Sequence, residues 1–549
     1  MSLIEGVAHR LARLLTVVVA AATLAAACGG AGGDAGDGAG TGAAAERPTR
    51  GGTFSYPCAS EPVKLAPYCD QWGDDQQVAH QILEGLVRYE EQRDGSLKTV
   101  PCLAESWTSN AKATVWTFRL RRGVTFQSPV DREVTAADVV ASFAYLADPA
   151  NGSPLAWQVA LIRGTDSAGF ARPGRLGVEA LDRYTVRFTL KSAHAEFAAT
   201  LGAQGLAVWP VDYMRKVGAD AFARRPVGTG PYRFGRRVEG RWLNLERNTR
   251  WWDKSGGPYV DTLRFEVLNS PQAQVLAFQK GTIDYTSVQQ DQVRTAKTLP
   301  QVKNGQWQAR AWPLLGVNYL CFNMKDPVVG GTAGLRLRQA LAYGCDREAL
   351  IEGPGDEAWL LPAGFLAPGV PGWRTVPFPY RYDPARAATL YEQAGSPVVR
   401  LWVLDSRKDM EVARTLKAGY AKAGIAVKIQ SYSWDDFAAR ASEADGDQVF
   451  RLGWIGVFPG QSDWLPGLLF QEFTFYSDAG VDALLARAVG TVDERTRLGL
   501  YAEAQQQIVA DVPVIPLYVY TEFSLVNNRI AGFVLTPLGV ADLWRIWVR

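Results

Sequence analysis

The stretch that decides the fold runs from residue 82 to residue 128 and reads ILEGLVRYEEQRDGSLKTVPCLAESWTSNAKATVWTFRLRRGVTFQS, followed at residues 134–143 by VTAADVVASF. Within it, residues 115–120 alternate apolar with polar side chains, which predicts a half-buried strand. Residues 135–146 begin with a threonine and continue with apolar residues at helical spacing, which predicts a capped helix. A strand and a helix this close together indicate mixed α/β structure.

The same alternation of strand and helix patterns continues outward in both directions. Strands are predicted at residues 53–56, 184–190, 241–247, 262–267, 317–322, 398–404, 426–430, 449–454 and 514–520. Helices are predicted at residues 76–87, 275–279, 335–343, 384–394, 410–422, 434–440 and 496–510. Because strands and helices interleave throughout, we expect an α/β fold with mixed sheets in two large lobes.

The N-terminal residues indicate export. Arg10 and Arg13 precede a largely apolar run of fourteen residues, 14–27, which is too short to span a bilayer but typical of a signal peptide. Three alanines then precede Cys28, an order that resembles the lipobox of bacterial lipoproteins, so we expect a signal peptide at 1–27 and lipidation of Cys28. Residues 29–46 hold 14 Gly or Ala, which predicts a flexible tether over 28–47. The expected location is the outer face of the cell membrane, with plain secretion as the alternative.

Length and charge exclude several classes of protein. A chain of 549 residues is long enough for several domains. Its net charge of +2 gives no reason to expect a nucleic-acid partner. After the leader, no run of eighteen uncharged apolar residues predicts a transmembrane helix.

The five cysteines that follow Cys28 predict disulfides in an oxidising compartment, although an odd number leaves at least one thiol or an intermolecular bond. Cys58 and Cys69 are close in sequence and are the favoured pair, with Cys102 as the rival partner. Only two histidines follow the leader, at unrelated spacing, so neither a metal site nor a cofactor is expected.

No motif predicts catalysis. The chain has no G-x-S-x-G elbow, phosphate loop, HExxH or CxxC sequence. Acidic residues could form carboxylate pairs at Asp405 with Asp409, or among Glu443, Asp445 and Asp447, but such clusters are usually solvated surface. We therefore expect a protein that is not an enzyme.

Several further blocks occur in a fixed order along the chain. They include PVGTGPYRF at 226–234, LERNTRWW at 245–252, FNMKDP at 322–327, RLRQALAYGCDREALI at 336–351 and LYAEAQQQIVADVPVIPLYVY at 500–520. This ordered set, from residue 51 to nearly residue 535, resembles the extracellular solute-binding proteins of family 5, which serve ABC importers of the dipeptide and oligopeptide type.

The resemblance implies a two-lobed fold with an additional subdomain and a hinge. Lobe 1 is expected at 48–82, 180–310 and 505–549, the additional subdomain at 83–179, and lobe 2 at 311–504. The implied function is capture of a peptide or peptide-like solute between the lobes and its delivery to the permease subunits of an ABC importer. The protein is expected to act as a monomer.

The resemblance also implies which residues line the ligand. The matching positions in this sequence are Glu61, Tyr319, Cys321, Trp434, Arg451, Gly453, Trp454, Val457 and Phe458.

One position departs from the family pattern. Peptide-binding members carry an aspartate for the peptide ammonium where this chain has Val457, and the next acid is Asp463. A buried ammonium without a carboxylate costs several kcal/mol. Either Glu61 or Asp463 replaces the missing acid, or the solute is a modified peptide, an oligosaccharide or haem. A regulatory or scaffold lipoprotein without a solute is the remaining alternative.

Overall fold

The structure is a computed structural model that describes residues 47–71, 73–172, 174–441, 448–468 and 471–549. The predicted signal peptide, Cys28 and all but the last residue of the predicted tether lie outside these ranges. Glu443, Asp445 and Asp447 lie outside them as well. Within the described ranges, no helix combines the length and the apolar character needed to cross a bilayer.

Strands and helices alternate along the chain. The strands are β1 Thr53–Cys58, β2 Val87–Glu91, β3 Leu97–Pro101, β4 Ala104–Ser109, β5 Val115–Leu120, β6 Val178–Asp182, β7 Thr185–Thr189, β8 Tyr232–Val238, β9 Trp242–Arg247, β10 Thr262–Val267, β11 Tyr285–Ser287, β12 Trp307–Phe322, β13 Val399–Leu404, β14 Val427–Tyr432, β15 Val449–Ile455, β16 Val514–Asn527, β17 Ile530–Ala531 and β18 Trp547–Val548. The α-helices are α1 Asp74–Ala79, α2 Ala136–Ala147, α3 Phe197–Thr200, α4 Val211–Val217, α5 Ala219–Arg224, α6 Pro271–Gln279, α7 Val293–Thr298, α8 Pro300–Lys303, α9 Leu335–Gly344, α10 Arg347–Glu352, α11 Pro384–Gln393, α12 Arg407–Lys422, α13 Trp434–Ala441, α14 Gln461–Leu468, α15 Gln471–Thr474, α16 Ala479–Gly490 and α17 Glu494–Asp511.

Three sheets of four or more strands organise these elements, and β2 with β3 and β17 with β18 form two-stranded sheets. The lobe 1 sheet has the order β1-β10-β9-β8, the subdomain sheet β4-β5-β7-β6, and the large sheet β11-β16-β12-β15-β13-β14. β1 runs parallel to β10, and β13 runs parallel to both β14 and β15. The other pairings within these three sheets are antiparallel. The predicted α/β class with mixed sheets is confirmed.

Each unit has a hydrophobic core of its own. The lobe 1 core lies against β1, β9 and β10 and includes Phe54 and Leu263. The subdomain core includes Phe118 and Trp209, and the lobe 2 core includes Trp464. Separate cores allow the units to behave as bodies that move relative to one another.

Two long strands join lobe 1 to lobe 2. The first half of β12, Trp307–Pro313, pairs with the end of β16, and its second half, from Val317, pairs with both β16 and β15. The register shifts between Pro313 and Val317. Trp312 packs against the lobe 1 core, whereas Val317 lies in the lobe 2 core. The shift therefore falls between the cores, and we call residues 313–317 and 519–521 the hinge segment.

One predicted helix is shorter than the sequence pattern indicates. The helix predicted at 76–87 ends at Ala79, and β2 begins at Val87. The carbonyl groups of Gln81 and Ile82 instead accept hydrogen bonds from Tyr232 and Gly230, at 3.0 and 2.9 Å. These long-range bonds replace the helical ones, and they could not be read from local periodicity.

The predicted bond between Cys58 and Cys69 does not form. Cys58, Cys69, Cys102, Cys321 and Cys345 are all free thiols. Cys58 is at the end of β1 in the lobe 1 core, while Cys69 packs against the subdomain core. The two thiols are therefore held in different cores although they are eleven residues apart in sequence.

Two of the domain boundaries expected from sequence, residues 180 and 505, each fall inside a single hydrophobic core. Residue 180 lies within β6, and buried residues on both sides, Val178 and Val186, belong to the subdomain core. Residue 505 lies within α17, and its neighbours Ala504 and Ile508 both belong to the lobe 2 core. We therefore propose boundaries near residue 228 and within β16.

Candidate functional site

The parallel strands of the large sheet end at one common edge. β13, β14 and β15 end at Leu404, Tyr432 and Ile455, and each is followed by a loop that leads to a helix. In α/β sheets, ligands bind outside the carboxyl ends of parallel strands. This edge carries the predicted residues Trp434 and Val457, and it is the lobe 2 side of the candidate site.

On lobe 1, the loop that follows β1 carries the predicted residue Glu61. Asp74 Oδ2 accepts hydrogen bonds from the backbone N–H groups of Ala59 and Ser60, at 2.7 and 3.1 Å. Asp75 Oδ1 accepts from Val63 and Lys64, at 2.7 and 2.9 Å. We call residues 59–64 the β1 loop. Burial raises the pKa of Asp74 to about 6, although the two N–H groups act in the opposite direction.

Sequence reasoning missed this pair of carboxylates. The available signal was Asp74-Asp75 at the start of a helix pattern, where acids are common for the helix dipole alone. Their role depends on where the β1 loop passes, which is a long-range property.

Glu61 lies in the β1 loop and is engaged by the next hairpin. Its Oε2 atom accepts a hydrogen bond of 2.9 Å from Gly240 N, and its Oε1 atom is 3.6 Å from Arg237 Nε. Arg237 also donates to the carbonyl oxygen of Pro62, at 2.5 Å. Glu61 therefore holds the β1 loop against the β8–β9 hairpin.

Arg451 is the centre of a polar cluster on lobe 2. Its Nη1 atom donates to Asn318 Oδ1 at 3.1 Å and to Tyr518 Oη at 2.7 Å. Its Nη2 atom forms an ion pair with Asp409, in the first turn of α12. The Tyr518 ring stacks on Trp359 with centroids 3.6 Å apart. We call these residues the Arg451 cluster, in which the guanidinium charge is already neutralised.

Strand alternation places the predicted residues of β12 and β15 on two opposite faces. Arg451 and Gly453 share one face of β15, while Trp454 points to the other and is 4% exposed. Tyr319 and Cys321 are fully buried in the lobe 2 core with Trp454. Tyr319 Oη donates to the carbonyl oxygen of Phe365 and accepts from Trp464 Nε1.

Gly453 is required by a tyrosine that the sequence analysis did not select. A Cβ atom at Gly453 would lie 2.2 Å from Tyr520 Oη, and one at Gly316 would lie 2.7 Å from Tyr520 Cδ2. Asn318 Nδ2 donates to Tyr520 Oη at 3.0 Å. The ring of Tyr520, a residue of the hinge segment, therefore lies across β12 and β15. The alternation of Tyr518 and Tyr520 was the signal available in the sequence.

Trp434 is half-buried at the start of α13. Its ring is 5.9 Å from that of Phe437. Close by on the same edge, Trp402 and Tyr432 stack at 4.6 Å, and the Arg440 guanidinium lies over both rings. Tyr432 and Trp434 are therefore the half-buried aromatic side chains at this part of the edge, while Trp402 is buried in the lobe 2 core.

The loop that follows β15 is held by carboxylates from two units. Asp463 Oδ2 accepts from Val457 N at 2.8 Å, so an acid is present beside the position where the family pattern has one. Phe458 is 8% exposed and lies next to His194. Glu196, which precedes α3, accepts from Ser462 N at 2.9 Å. We call residues 456–463 the β15 loop.

Apolar side chains are exposed where the edge meets the hinge segment. Ile455, opposite Gly316, is 52% exposed, and Leu361 is 44% exposed. Leu360 pairs with Val519 of β16 and is 38% exposed. Exposed large apolar residues grouped in this way are typical of a ligand surface. In the described part of the chain, no group of three or more His, Cys, Asp or Glu side chains could hold a metal ion.

Comparison with known proteins identifies a family for this chain. The family model described as bacterial extracellular solute-binding proteins, family 5 Middle, matches residues 98–474. The chain is 26% identical to "Di/tripeptide-binding protein 1" of Pseudomonas aeruginosa, with 86% of this chain and 89% of that protein covered. It is 27% identical to "Heme-binding protein A" of Haemophilus influenzae, with 89% and 90% covered.

Solved structures share the fold. A structure of HbpA2 from Haemophilus parasuis superposes with a TM-score of 0.79 at 23% identity, covering 91% of this chain and all of that one. A structure of the murein tripeptide-binding protein MppA in its unliganded open form gives a TM-score of 0.81 at 24% identity, with 90% and 97% covered.

Proposed function

The chain belongs to the bacterial extracellular solute-binding proteins of family 5, and on this premise we propose that it captures a peptide or peptide-like solute between its lobes for an ABC importer. The observation that carries the proposal is the pair of strands, β12 and β16, that run from the lobe 1 core into the lobe 2 core, where the parallel strand ends are followed by Trp434 and by the β15 loop. Relatives named as di/tripeptide-binding and dipeptide-binding proteins support the choice of a peptide.

Capture of this kind needs lobe closure without chemistry. The hinge segment can change the angle between lobes because β12 shifts register there and each lobe has its own core. We propose that closure over the solute creates the surface that the permease recognises, and that the protein acts as a monomer and not as an enzyme.

The β15 loop and the β1 loop offer no carboxylate that is free to pair with the amino terminus of a solute. Val457 offers no charge, Asp463 is engaged by the Val457 N–H group, and Glu61 is engaged by Gly240. The Arg451 charge is already balanced by Asp409. The solute would contact Ile455, Gly453 and Trp434, with Phe458 at the edge; the buried residues Tyr319, Cys321 and Trp454 would support these from the core.

The direct test is to identify what the protein retains. Native mass spectrometry of protein purified from its own host should reveal a bound solute, and small-angle scattering should show contraction when that solute is returned to unfolded and refolded protein. A panel of di- and tripeptides, their N-acetylated forms, oligosaccharides and haem completes the test. Neither binding nor contraction with any of them would contradict the proposal and favour a scaffold role.

Haem is the second candidate solute. The half-buried aromatic side chains Tyr432 and Trp434 at the edge, together with the relative named as a haem-binding protein, favour it. The same experiment separates the two candidates, because bound haem has a strong visible absorption and a peptide has none.

We also propose that the mature protein is anchored through Cys28. The apolar run, the alanines before Cys28 and the Gly/Ala-rich segment after it support this. Labelling with a radioactive fatty acid should mark the wild type and leave Cys28→Ala unlabelled. Equal labelling of the two proteins would show that the anchor is elsewhere.

A further inference from the structure

One face of the hinge strand β16 carries an acidic side chain. Because side chains alternate along a strand, Tyr518, Tyr520, Glu522 and Ser524 share a face. Tyr518 belongs to the Arg451 cluster on lobe 2, and Glu522 lies opposite Trp312 of β12, on the lobe 1 side of the hinge segment. Glu522 is half-buried, so it is enclosed by other residues yet reachable.

Glu522 has hydrogen-bond donors but no cation. Tyr285 Oη donates to its Oε1 atom. Burial raises the pKa of Glu522, and hydrogen bonds from Tyr285 and Ser287 act in the opposite direction. Among the described residues, no Lys, Arg or His side chain forms an ion pair with it. Its strand neighbour Arg310 lies over the Trp312 ring instead, 5.6 Å from the centroid.

Aromatic rings surround this carboxylate. Tyr56 and Tyr285 stack with centroids 4.8 Å apart and planes within 6°. Because the hydroxyl group of Tyr285 donates to Glu522, this stacking places the Tyr56 ring beside the residue that holds the carboxylate. Trp312 is fixed by a 2.8 Å hydrogen bond from its Nε1 atom to Ser524 Oγ. A carboxylate set among aromatic rings is suited to an organic cation, which gains from both.

We propose that Glu522, with Tyr56 and Trp312, forms a subsite that binds a primary ammonium or guanidinium group of the captured solute. This inference rests on the proposed function, since it needs a solute between the lobes. The β15 loop has no acid at Val457 that could pair with a solute cation. In this proposal Glu522 of β16 supplies the carboxylate instead. The cation is either the amino terminus of the solute or a basic side chain.

The experiment uses two pairs of probes that differ only in charge. Acetyl-Ala-Arg-amide is compared with acetyl-Ala-citrulline-amide for a side-chain cation, and Ala-Ala-Ala with acetyl-Ala-Ala-Ala for an amino terminus. Calorimetry on the full chain should show that the wild type prefers the charged member of at least one pair by about 10- to 100-fold, the range for a hydrogen-bonded ion pair. Which pair responds identifies the source of the cation.

The variants are chosen to separate charge from folding. Glu522→Gln should bind the two members of that pair equally, and Glu522→Asp, which keeps the charge, should retain part of the preference. Glu503→Gln, an exposed position on α17, should behave as the wild type. Melting temperatures verify that each variant is folded.

Each outcome bears on a different claim. If the wild type binds both members of each pair equally, or if Glu522→Gln keeps the preference, the subsite is wrong and the proposed function stands. If none of the four probes binds to the wild type, both the subsite and peptide capture are contradicted.

Discussion

At Gly453 the chain has room for a hydrogen atom and little more. The Tyr520 hydroxyl occupies the place of a Cβ atom, at 2.2 Å, and Asn318 holds that hydroxyl. This is a single-residue requirement of the site, and the family pattern located the glycine without revealing its cause.

We predict that Gly453→Ala destabilises the fold by about 1–3 kcal/mol and weakens solute binding, because the added methyl group displaces Tyr520 from the hinge segment. Urea unfolding and calorimetry provide the two measurements. Gly499→Ala is the control, since a Cβ there meets nothing within 4 Å and alanine favours its helix α17. Equal stability of wild type and Gly453→Ala would show that Tyr520 is free to move.

Two tryptophans that the family pattern groups together should behave differently. Trp434 is half-buried at the strand edge, so Trp434→Ala should weaken binding of the co-purifying solute by about 1–3 kcal/mol with a smaller loss of stability. Trp454 is in the lobe 2 core, so Trp454→Ala should cost about 3–5 kcal/mol of unfolding free energy. Calorimetric affinity and melting temperature of both variants decide this. A large loss of stability in Trp434→Ala with unchanged affinity would contradict the assignment.

The division between these tryptophans was partly readable from sequence. Residues 449–455 read VFRLGWI, in which Arg451 and Gly453 alternate with Leu452 and Trp454. Period-two alternation predicts opposite faces. The role of Glu522 was not readable, because it depends on Tyr56, Tyr285 and Trp312, which come from three other strands.

Among the elements, local sequence patterns predicted the bounds of short alternating strands well and the bounds of the long strand β12 poorly. The patterns at residues 115–120 and 262–267 match β5 and β10 to the residue. β12 was predicted only from Val317, although it begins at Trp307. Its first half contains Arg310 and Pro313 and lacks a clear alternation; it is a strand because it pairs with the end of β16.

We predict that the free energy of unfolding depends on pH through Asp74 of α1, whose carboxylate holds the β1 loop. Its pKa is about 6 in the folded protein, above the usual value of 3.8. Between those pH values the folded state keeps a proton that the unfolded chain has lost, so the Asp74 contribution to unfolding free energy falls as pH rises. The change is at most about 3 kcal/mol.

The measurement is the difference in unfolding free energy between the wild type and Asp74→Asn at pH 4, 5, 6 and 7. The wild type should lose stability relative to Asp74→Asn as pH rises to about 6, and the difference should then stay constant. Glu494→Gln, at the exposed start of α17, serves as the control. A difference independent of pH would mean that Asp74 is ionised throughout, with an ordinary pKa.

For the whole molecule, a sequence can identify the lobes but not the contacts between them. Glu196 belongs to the segment that enters α3 in the subdomain core, yet its carboxylate receives hydrogen bonds from lobe 2. The donors are Gln461 N at 3.2 Å, Ser462 N at 2.9 Å and Tyr501 Oη at 3.2 Å. No motif marks Glu196, because its partners are more than 250 residues away.

We predict that Glu196 fixes the β15 loop relative to the subdomain. Glu196→Gln loses the charge that strengthens both backbone hydrogen bonds, so the loop should open more often and unfolding free energy should fall by about 1–3 kcal/mol. Hydrogen exchange at residues 457–463, expected to be faster by at least tenfold, measures the local effect. Glu239→Gln, which removes only an exposed ion pair with Arg224, is the matched control and should leave exchange in the β15 loop unchanged. Because this loop is part of the proposed solute site, affinity for the co-purifying solute should change in Glu196→Gln and not in the control. Unchanged exchange and affinity in both variants would show that the β15 loop is fixed by other contacts.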